Sequence, residues 1–372
     1  YWGKRDSKLN LPTNSSISVT LSSSDLHSHT TACCSVAFGP GDTLILNSEP
    51  QDVSGARAQA CFRELRTLRS NLELSDPSLP RLSSLPLRII SVNNFPTAAG
   101  LASSAAGFAA LVLAIANLYQ LRSSPTELSR IARQGSGSAC RSLFGGYVSW
   151  QMGSQSDGSD SIAAMIAPKS HWPTIRALIL IISAAKKDVS STVGMQNTTA
   201  TSQLFQHRVS VVVPNHMEMM QRAILTKDFE LFAKVTMRES NSFHATCHDT
   251  DPPIFYLNDI SRAAIRTVEY LNEKANRIIA AYTFDAGPNA VIYYQQEDEN
   301  LVAGILKGCL GHVDGWQGRG AEIHAISTDD IDKSFFQTLQ NGVTRVILTS
   351  VGDGPVSTEK SLATDSGEPL QN

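Results

Sequence analysis

The sequence predicts an α+β protein with two packed domains. The chain has 372 residues, of which 42% are hydrophobic and 17% charged, so it is long and apolar enough to bury two cores. Its strand patterns are separated by paired helical patterns, whereas a strict alternation would indicate a doubly wound sheet. A polar loop at 153–160 precedes a new buried strand. We therefore place the domain boundary near Trp172, giving domains 1–172 and 173–372.

Local patterns predict the elements of the first domain. Alternating polar and apolar residues indicate strands, and apolar residues at helical spacing indicate helices. Ser124 before Pro125 is a favourable start for a helix, because serine caps and proline fits the first turn. In chain order we predict strands at 15–21, 43–46, 87–92 and 147–151, and helices at 56–72, 103–119 and 124–134.

The second domain shows longer helical patterns between apolar strands. The run ALILII at 177–182 is typical of a strand buried on both faces. Residues 357–372 are polar, and we expect this segment to be frayed. We predict strands at 177–182, 278–283, 290–294 and 345–349, and helices at 198–213, 215–226, 229–247 and 253–274.

Composition and charge exclude several classes of protein. The net charge of −3 lacks the basic excess of a general nucleic-acid binder. The stretch Asn93–Gln120 carries no charge, but only Ala105–Ala116 is continuously apolar or small, and a membrane span needs roughly 20 such residues. We expect a buried helix there, no nucleic-acid or membrane partner, and a cytoplasmic location, since no secretory leader is visible.

The cysteine pattern indicates a reducing compartment. The six cysteines include no C-x-x-C pair and lack the dense spacing of a disulfide scaffold. We therefore expect buried free thiols.

The first candidate site is the loop from Pro96 to Ala105, between a predicted strand and a predicted helix. A glycine-bearing turn that opens a helix leaves backbone N–H groups free to bind an anion. Ser103 and Ser104 add hydroxyl donors there. The alternative is a serine-capped helix start that serves close packing. The loop is not a P-loop, because the G-x-x-x-x-G-K-[ST] order is absent.

Two more loops contain residue types that bind or activate polar ligands. Gly135-Ser-Gly-Ser-Ala-Cys-Arg141 can converge amides on an anion, with Arg141 pairing with a carboxylate or phosphate. The alternative is a flexible connector. Asp285, in the segment TFDAGPNA, is either a general base or a turn-forming residue, since Asp, Gly, Pro and Asn dominate turns.

His244 and His248 have the i, i+4 spacing of a pair that could bind metal on one helix face. No H-E-x-x-H motif and no obvious third ligand accompany them, and zinc needs at least three protein ligands. We therefore predict no metal-binding residues and a structural or substrate-facing role for this pair.

Taken together, the loops resemble the GHMP kinase superfamily and, within it, the diphosphomevalonate decarboxylase family of the fungal and animal type. The resemblance covers nearly the whole chain. It rests on YWGKRDSKLNLPTNSSISVTL from Tyr1, NNFPTAAGLASSAAGFAAL from Asn93, GSGSACRSLFGGY from Gly135, KKDVSST from Lys186, SNSFHATC from Ser240 and TFDAGPNA from Thr283.

This resemblance implies a two-domain GHMP-kinase fold, with a ribosomal-protein-like N-terminal domain and a ferredoxin-like C-terminal domain. It implies conversion of ATP and (R)-5-diphosphomevalonate into isopentenyl diphosphate, ADP, phosphate and CO₂ in isoprenoid and sterol biosynthesis. ATP is the co-substrate, Mg²⁺ the metal cofactor, and a homodimer the expected assembly.

The resemblance also implies roles for individual residues. Asp285 would orient or deprotonate the 3-hydroxyl group, Arg141 would hold the substrate carboxylate, and Ser103 would contact the transferred phosphate. The implied ATP-binding positions are Pro96, Gly100, Leu101, Ala102, Ser103 and Ser104. The implied substrate-binding positions are Tyr1, Trp2, Gly3, Lys4, Arg57, Ser136, Gly137, Ser138, Ala139, Cys140, Arg141 and Thr192.

Three departures from the family pattern lead to further expectations. The family has a first strand and an active-site lysine before its Y-W-G-K segment, so a chain starting at Tyr1 is expected to lack that strand and to be impaired. Ser48 stands where the family has glycine. Residues 313–330 are expected to form a trimmed surface loop.

Two other functions remain open at this point. One is a sister GHMP kinase that phosphorylates a small molecule and stops; TFDAGPNA and GSGSACR argue against it, since sister kinases differ at both places. The other is a truncated, inactive form that keeps only the fold. Asp285, Arg141, Ser103 and Lys4 argue against such degeneration.

Overall fold

The computed structural model describes residues 1–95, 103–182, 188–328 and 334–370. The first half of the chain contributes two main sheets and three helices within this described part. Its elements are β1 (Lys4–Asp6), β2 (Leu11–Pro12), β3 (Ser16–Val19), β4 (Ser28–Cys34), β5 (Thr43–Leu46), β6 (Glu49–Gln51), α1 (Ala56–Ser75), β7 (Leu87–Asn93), α2 (Ser103–Leu118), α3 (Pro125–Gly135), β8 (Tyr147–Trp150) and β9 (Ala163–Ala167).

The second half builds one four-stranded sheet covered by helices. Its elements are β10 (Ile175–Ile181), α4 (Ser191–Thr201), α5 (Gln203–His207), α6 (Val213–Thr226), α7 (Phe229–His248), α8 (Asp259–Ala275), β11 (Ala280–Phe284), β12 (Ala290–Gln295), α9 (Glu299–Leu310), α10 (Ser334–Gly342) and β13 (Arg345–Ser350).

The strand orders show how each half is built. The first half has the sheets β4-β7-β5-β6 and β3-β8-β9, in which only β5 and β7 pair in parallel, and a short β1-β2 ribbon. The second half has the antiparallel order β11-β12-β10-β13. One core packs α1, α2 and α3 on the first sheet, and another packs α8, α9 and α10 on the last. The α+β prediction is therefore confirmed, while the boundary at Trp172 stays a prediction.

Most predicted elements are present, and the capped helix is the clearest case. Ser124 accepts a hydrogen bond from the Glu127 amide at 3.3 Å, and the Glu127 carboxylate accepts one from the Ser124 amide at 2.7 Å. This reciprocal capping box fixes the start of α3 next to Pro125. The strands β1, β2, β4, β6 and β9 and the helices α9 and α10 were not predicted.

Two helix predictions are wrong in their bounds. The single helix expected at 198–213 is broken at Ser202, which has extended backbone and donates a hydrogen bond to Asp249 at 2.7 Å. The helix expected to begin at residue 253 begins at Asp259, because the side chain of Asn258 caps it by accepting from the Ser261 amide at 2.9 Å. The break at Ser202 therefore depends on a side chain distant in sequence, that of Asp249. The later start of the other helix depends on a local cap, that of Asn258.

The prediction of a frayed C-terminal segment is wrong for residues 357–370. This segment packs against the first sheet, more than 250 residues earlier in the chain. The amide of Leu362 donates to Thr31 Oγ1 at 3.0 Å, and the main chain of Lys360 contacts the His29 ring at 2.9 Å. Arg88 pairs with Glu368 and lies over the Phe38 ring at 4.4 Å. Tertiary contacts hold this polar segment in place.

The cysteine prediction is confirmed in part. All six thiols are free, and Cys61, Cys140, Cys247 and Cys309 are buried. Cys33 and Cys34 are only half-buried, because the whole of β4 is partly accessible.

No helix among the described residues is long and apolar enough to span a bilayer. Helix α2, which holds most of the uncharged stretch, has 16 residues, and Val112 and Ile115 are fully buried in the first core.

We predict that Ser48→Gly stabilises the protein by about 1 kcal/mol. Asn47 and Ser48 connect β5 to β6 with φ values of 49° and 70°, and this left-handed region favours glycine. Urea unfolding measures the change. Ser54→Gly is the control and should destabilise, because the exposed Ser54 lacks a positive φ, and glycine there adds unfolded-state entropy and removes the hydrogen bond of the Ser54 side chain with Asp52. Equal effects of the two substitutions would contradict the argument.

Candidate active site

A cleft of about 630 Å³ lies between the two halves of the molecule. Loops and strand ends from both halves line it, so neither half forms it alone. The side chains that line it are Tyr1, Trp2, Lys4, Arg57, Ser104, Ser136, Gly137, Ser138, Arg141, Ser190, Ser191, Thr192, Met195, Arg208, Glu239, Ser240, Phe243, Thr283, Phe284, Asp285 and Ala286.

The segment after α3 forms one wall of the cleft as a tight 3-10 turn, Gly137–Leu143. A Cβ added at Gly137 would lie 2.5 Å from the Tyr1 hydroxyl and 2.9 Å from the Trp150 ring, so only glycine fits. Ser136 Oγ lies 3.2 Å from Ser104 Oγ at the start of α2. This contact brings the segment from Gly135 to Arg141 against the start of α2. We therefore do not interpret this segment as a flexible connector.

Arg141 is fixed by serine hydroxyls of a neighbouring strand. Its Nε donates to Ser18 Oγ at 3.0 Å and its Nη1 donates to Ser16 Oγ, both on β3. The guanidinium also lies 5.8 Å from the Trp150 ring centroid. Burial lowers the pKa of Arg141 from its ordinary value. No carboxylate among the described residues pairs with it, so an anionic ligand can.

Lys4 is a second cation in the cleft. Its Nζ donates to Asn10 Oδ1 at 2.7 Å, and the Asn10 amide in turn donates to the Gln134 carbonyl at 2.7 Å. Burial, with a smaller contribution from the nearby charge of Arg57, lowers the pKa of Lys4 to about 8. Lys4 therefore changes charge near physiological pH.

We predict that kcat/KM for the anionic substrate falls as pH rises above about 8. The lowered pKa of Lys4 means that its ammonium, and its attraction for a diphosphate, are lost as pH passes that value. Lys4→Arg stays charged, so this variant should lack the decline, at some cost in absolute rate. A flat wild-type profile, or the same decline in the variant, would contradict this role.

Arg57 and Trp2, both cleft residues, tie the two halves together. Arg57 on α1 donates to Thr192 Oγ1 on α4 at 3.2 Å. Trp2 donates to Thr198 Oγ1 at 3.0 Å and packs on Phe243 at 4.8 Å. The residues before and within β1 therefore contact helices of the second half.

Asp285 follows β11 in a turn that several elements hold. Ser240 on α7 accepts a hydrogen bond from the Phe284 amide at 3.2 Å, which fixes the residue before Asp285. Asn289 accepts from the Ile182 amide at 2.7 Å, which fixes the far end of the turn. The Gly287 amide donates to the Asp285 carbonyl at 2.8 Å. A turn-forming role and a role as general base are compatible for Asp285, because the turn presents its carboxylate to the cleft.

His244 lies beneath this turn and is buried among aromatic rings. Its ring centroid is 4.5 Å from that of Phe243 and 6.2 Å from that of Phe284. Burial, together with the charge of His248, lowers the pKa of His244 to about 3, so the ring is neutral. His244 is not among the cleft residues, and no group of three His, Cys, Asp or Glu among the described residues could hold a metal. These facts favour the structural alternative for His244.

An ionic cluster that no sequence pattern indicated lies in the wall of the cleft. Arg208 pairs with Glu239, whose other oxygen contacts His216 Nδ1 at 2.7 Å, and Arg208 Nη1 donates to Ser242 Oγ at 2.8 Å. Burial would raise the pKa of Glu239, but the hydrogen bond from His216 and the charge of Arg208 outweigh it and lower that pKa. Glu239 is therefore ionised.

The structure brings most predicted site residues to the cleft. Gly3 is instead buried outside the cleft lining, with φ of 96°, and a Cβ added there would lie 2.4 Å from the Phe205 ring. Ala139 and Cys140 have fully buried side chains in the core, which leaves only their main chain for a ligand. Pro96, Gly100, Leu101 and Ala102 lie outside the described residues, as does the side chain of Ser103. Their assignment to ATP stays a prediction.

Several cleft residues were not predicted. Ser190, Ser191, Ser240 and Phe243 lie within or beside the quoted family segments, which was the available signal. Arg208 and Glu239 lie in ordinary helical patterns that give no such signal.

Comparison with known proteins agrees with the geometry. Residues 1–163 match a family model described as the diphosphomevalonate decarboxylase-like N-terminal domain. Residues 177–358 match the mevalonate 5-diphosphate decarboxylase C-terminal domain. A diphosphomevalonate decarboxylase of Gibberella zeae is 64% identical over 363 residues, covering 98% of this chain and 94% of the relative.

Solved structures show the same fold. A crystal structure of mevalonate 5-diphosphate decarboxylase has a TM-score of 0.90 and 53% identity, covering 100% of this chain and 96% of its own. A structure of MDDEF in complex with MVAPP, AMPPCP and magnesium has a TM-score of 0.73 and 29% identity, covering 95% and 93%. The expected GHMP-kinase-type fold is confirmed. By sequence, by fold and by the matched length of both halves, the chain belongs to the diphosphomevalonate decarboxylase family.

Proposed function

We propose that the cleft catalyses ATP-dependent decarboxylation of (R)-5-diphosphomevalonate to isopentenyl diphosphate, with release of ADP, phosphate and CO₂. One observation carries this proposal. Lys4, Arg57 and Arg141 line the same cleft as Asp285, and none of these cations forms an ion pair among the described residues. A site with unpaired cations and one presented carboxylate suits a polyanionic substrate that must lose a proton.

The first step is phosphoryl transfer to the 3-hydroxyl group. Asp285 orients this hydroxyl or accepts its proton, so that its oxygen attacks the γ-phosphate of ATP. The start of α2, with Ser103 and Ser104, holds the phosphates through backbone amides and hydroxyls. Lys4 and Arg57, with Thr192 and the main chain at Ser136–Ser138, hold the diphosphate of the second substrate.

The second step is fragmentation. The phosphate leaves C3 with the electrons of the C–O bond, and positive charge develops at C3. The bond between C2 and the carboxyl carbon then breaks, its electron pair forms the new double bond, and CO₂ departs. Arg141 holds the carboxylate in position for this step, while Tyr1 and Trp2 shape the surrounding pocket.

Mg²⁺ fits the oxygen donors of the cleft. It prefers oxygen ligands, keeps several waters and is held largely by substrate phosphates, so it needs few protein ligands. Among the oxygen donors in the described part of the cleft, the hydroxyl of Ser104, at the start of α2, and the carboxylate of Asp285 would hold the ion. When bound, Mg²⁺ neutralises phosphate charge. The solved MDDEF complex with AMPPCP, an ATP analogue, and magnesium supports this assignment.

Product analysis tests the proposal. Incubation with ATP, Mg²⁺ and diphosphomevalonate should yield ADP, CO₂ and isopentenyl diphosphate in equal amounts. A sister kinase would form ADP and a phosphorylated substrate without CO₂, and an inactive form would yield neither. Either outcome would overturn the proposal.

We also propose a homodimer, which rests on the family resemblance, and a cytoplasmic location, which the six free thiols support. Light scattering of the purified protein tests the first, and imaging of the tagged protein in cells tests the second. A monomer, or an organellar signal, would contradict them.

A further inference from the structure

The cluster of Arg208, Glu239 and His216 has no part in the mechanism above. Arg208 opens a rare π-helical turn, Arg208–Val212, between α5 and α6. Such turns add a residue to the helix and occur often at functional sites. The turn places the Arg208 side chain, only 4% of the residue being exposed, in the wall of the cleft. Glu239 from α7 meets it there.

Arg208 and Arg141 both line the cleft. The groups that hold them, Glu239 for Arg208 and Ser16 and Ser18 for Arg141, line one smaller pocket that adjoins the cleft at Tyr1. Two guanidinium groups and one carboxylate from different elements are therefore neighbours at this end of the cleft. Arg141 comes from the first half and is held by neutral serines; Arg208 comes from the second half and is held by a carboxylate.

This difference matters for decarboxylation. The substrate carboxylate loses its negative charge when its electron pair moves into the new double bond. A cation that binds the carboxylate therefore stabilises the ground state more than the transition state. One guanidinium is enough to position the group, but a second uncompensated one would oppose its departure.

We propose that Glu239 is a positioning residue that holds Arg208 away from the substrate carboxylate and neutralises it, so that Arg141 alone holds that group. His216, on the other carboxylate oxygen, keeps Glu239 oriented towards Arg208. The inference rests on the proposed role of Arg141 in the decarboxylation.

The test is the effect of Glu239→Gln on substrate binding and on single-turnover release of CO₂. Releasing Arg208 should tighten binding of diphosphomevalonate and slow CO₂ release, each by about tenfold. Removing both charges in Glu239→Gln/Arg208→Gln should restore much of the rate, since no second guanidinium then acts on the substrate carboxylate beside Arg141. Glu239→Asp, which keeps the charge, should lie near the wild type.

A purely structural ion pair predicts the opposite pattern. It would give weaker binding, a lower melting temperature and a double variant that releases CO₂ no faster than the single one. That pattern would overturn the proposal, and so would an unchanged rate of CO₂ release in Glu239→Gln. Asp298→Asn is the matched control. It removes the carboxylate partner of Arg277 in the same half of the chain, away from the cleft, and should change stability without tightening binding. Failure of the wild type to release any CO₂ would instead count against the proposed function.

Discussion

Replacing Asp285 with asparagine is expected to lower turnover by about 10³-fold, because asparagine cannot accept the 3-hydroxyl proton. Asparagine keeps the shape of the side chain, and the backbone contacts through Ser240 and Asn289 that hold the turn do not depend on the carboxylate. Substrate affinity and melting temperature should therefore change little. Rapid-quench measurement of ADP and CO₂ should show both products lost together, since phosphoryl transfer precedes fragmentation.

The control for Asp285 is an exposed carboxylate outside the cleft. Glu269 on α8 pairs with Arg266 at 2.9 Å, with both side chains at least half exposed. Glu269→Gln should retain wild-type turnover. Turnover by Asp285→Asn within a few fold of wild type would contradict the proposal that Asp285 orients or deprotonates the 3-hydroxyl group. Asp285→Ala should likewise lose ADP formation.

Replacing Arg141 with glutamine is expected to weaken substrate binding by about 100-fold, because a charge-assisted hydrogen bond to the substrate carboxylate is lost. Arg141→Lys should be intermediate, because a lysine keeps the charge but not the planar fork that Ser16 and Ser18 orient. Calorimetry with diphosphomevalonate measures the affinity. In Arg141→Gln, substrate that is still phosphorylated should also release CO₂ more slowly than in the wild type.

Arg88 provides a matched control for Arg141. Its guanidinium also lies over an aromatic ring, 4.4 Å from Phe38, but it pairs with Glu368 and is not a cleft residue. Arg88→Gln should lower stability, since it releases the C-terminal segment, and leave substrate affinity unchanged. Equal losses of affinity in the two variants would show that Arg141 acts through stability alone.

The sequence predicted those parts of the site whose residues lie together in the chain. The glycine and serine content of the segment ending at Arg141 indicated an anion site, and the structure places Ser136, Gly137 and Arg141 in the cleft. The Asp285 turn was recognised for the same reason. Glycine, serine and an acidic turn have local conformational consequences, so their meaning is visible without knowledge of the fold.

The same local logic explains which elements were predicted well. β5 was predicted at Thr43–Leu46 and the capped start of α3 at Ser124, because period and cap are properties of adjacent residues. The break at Ser202 was missed because its cause, Asp249, lies 47 residues away.

What the sequence determined by itself was the α+β class, the family and the three loops that carry the proposed chemistry, since each depends on short contiguous segments. The tertiary structure decided which side chains face one another. It brought Arg208 and Glu239, from different elements, to the cleft that Arg141 also lines, and it packed the polar segment around Leu362 onto β4. Such contacts depend on how elements far apart in the chain pack, and side-chain burial and pairing are set only when that packing is complete.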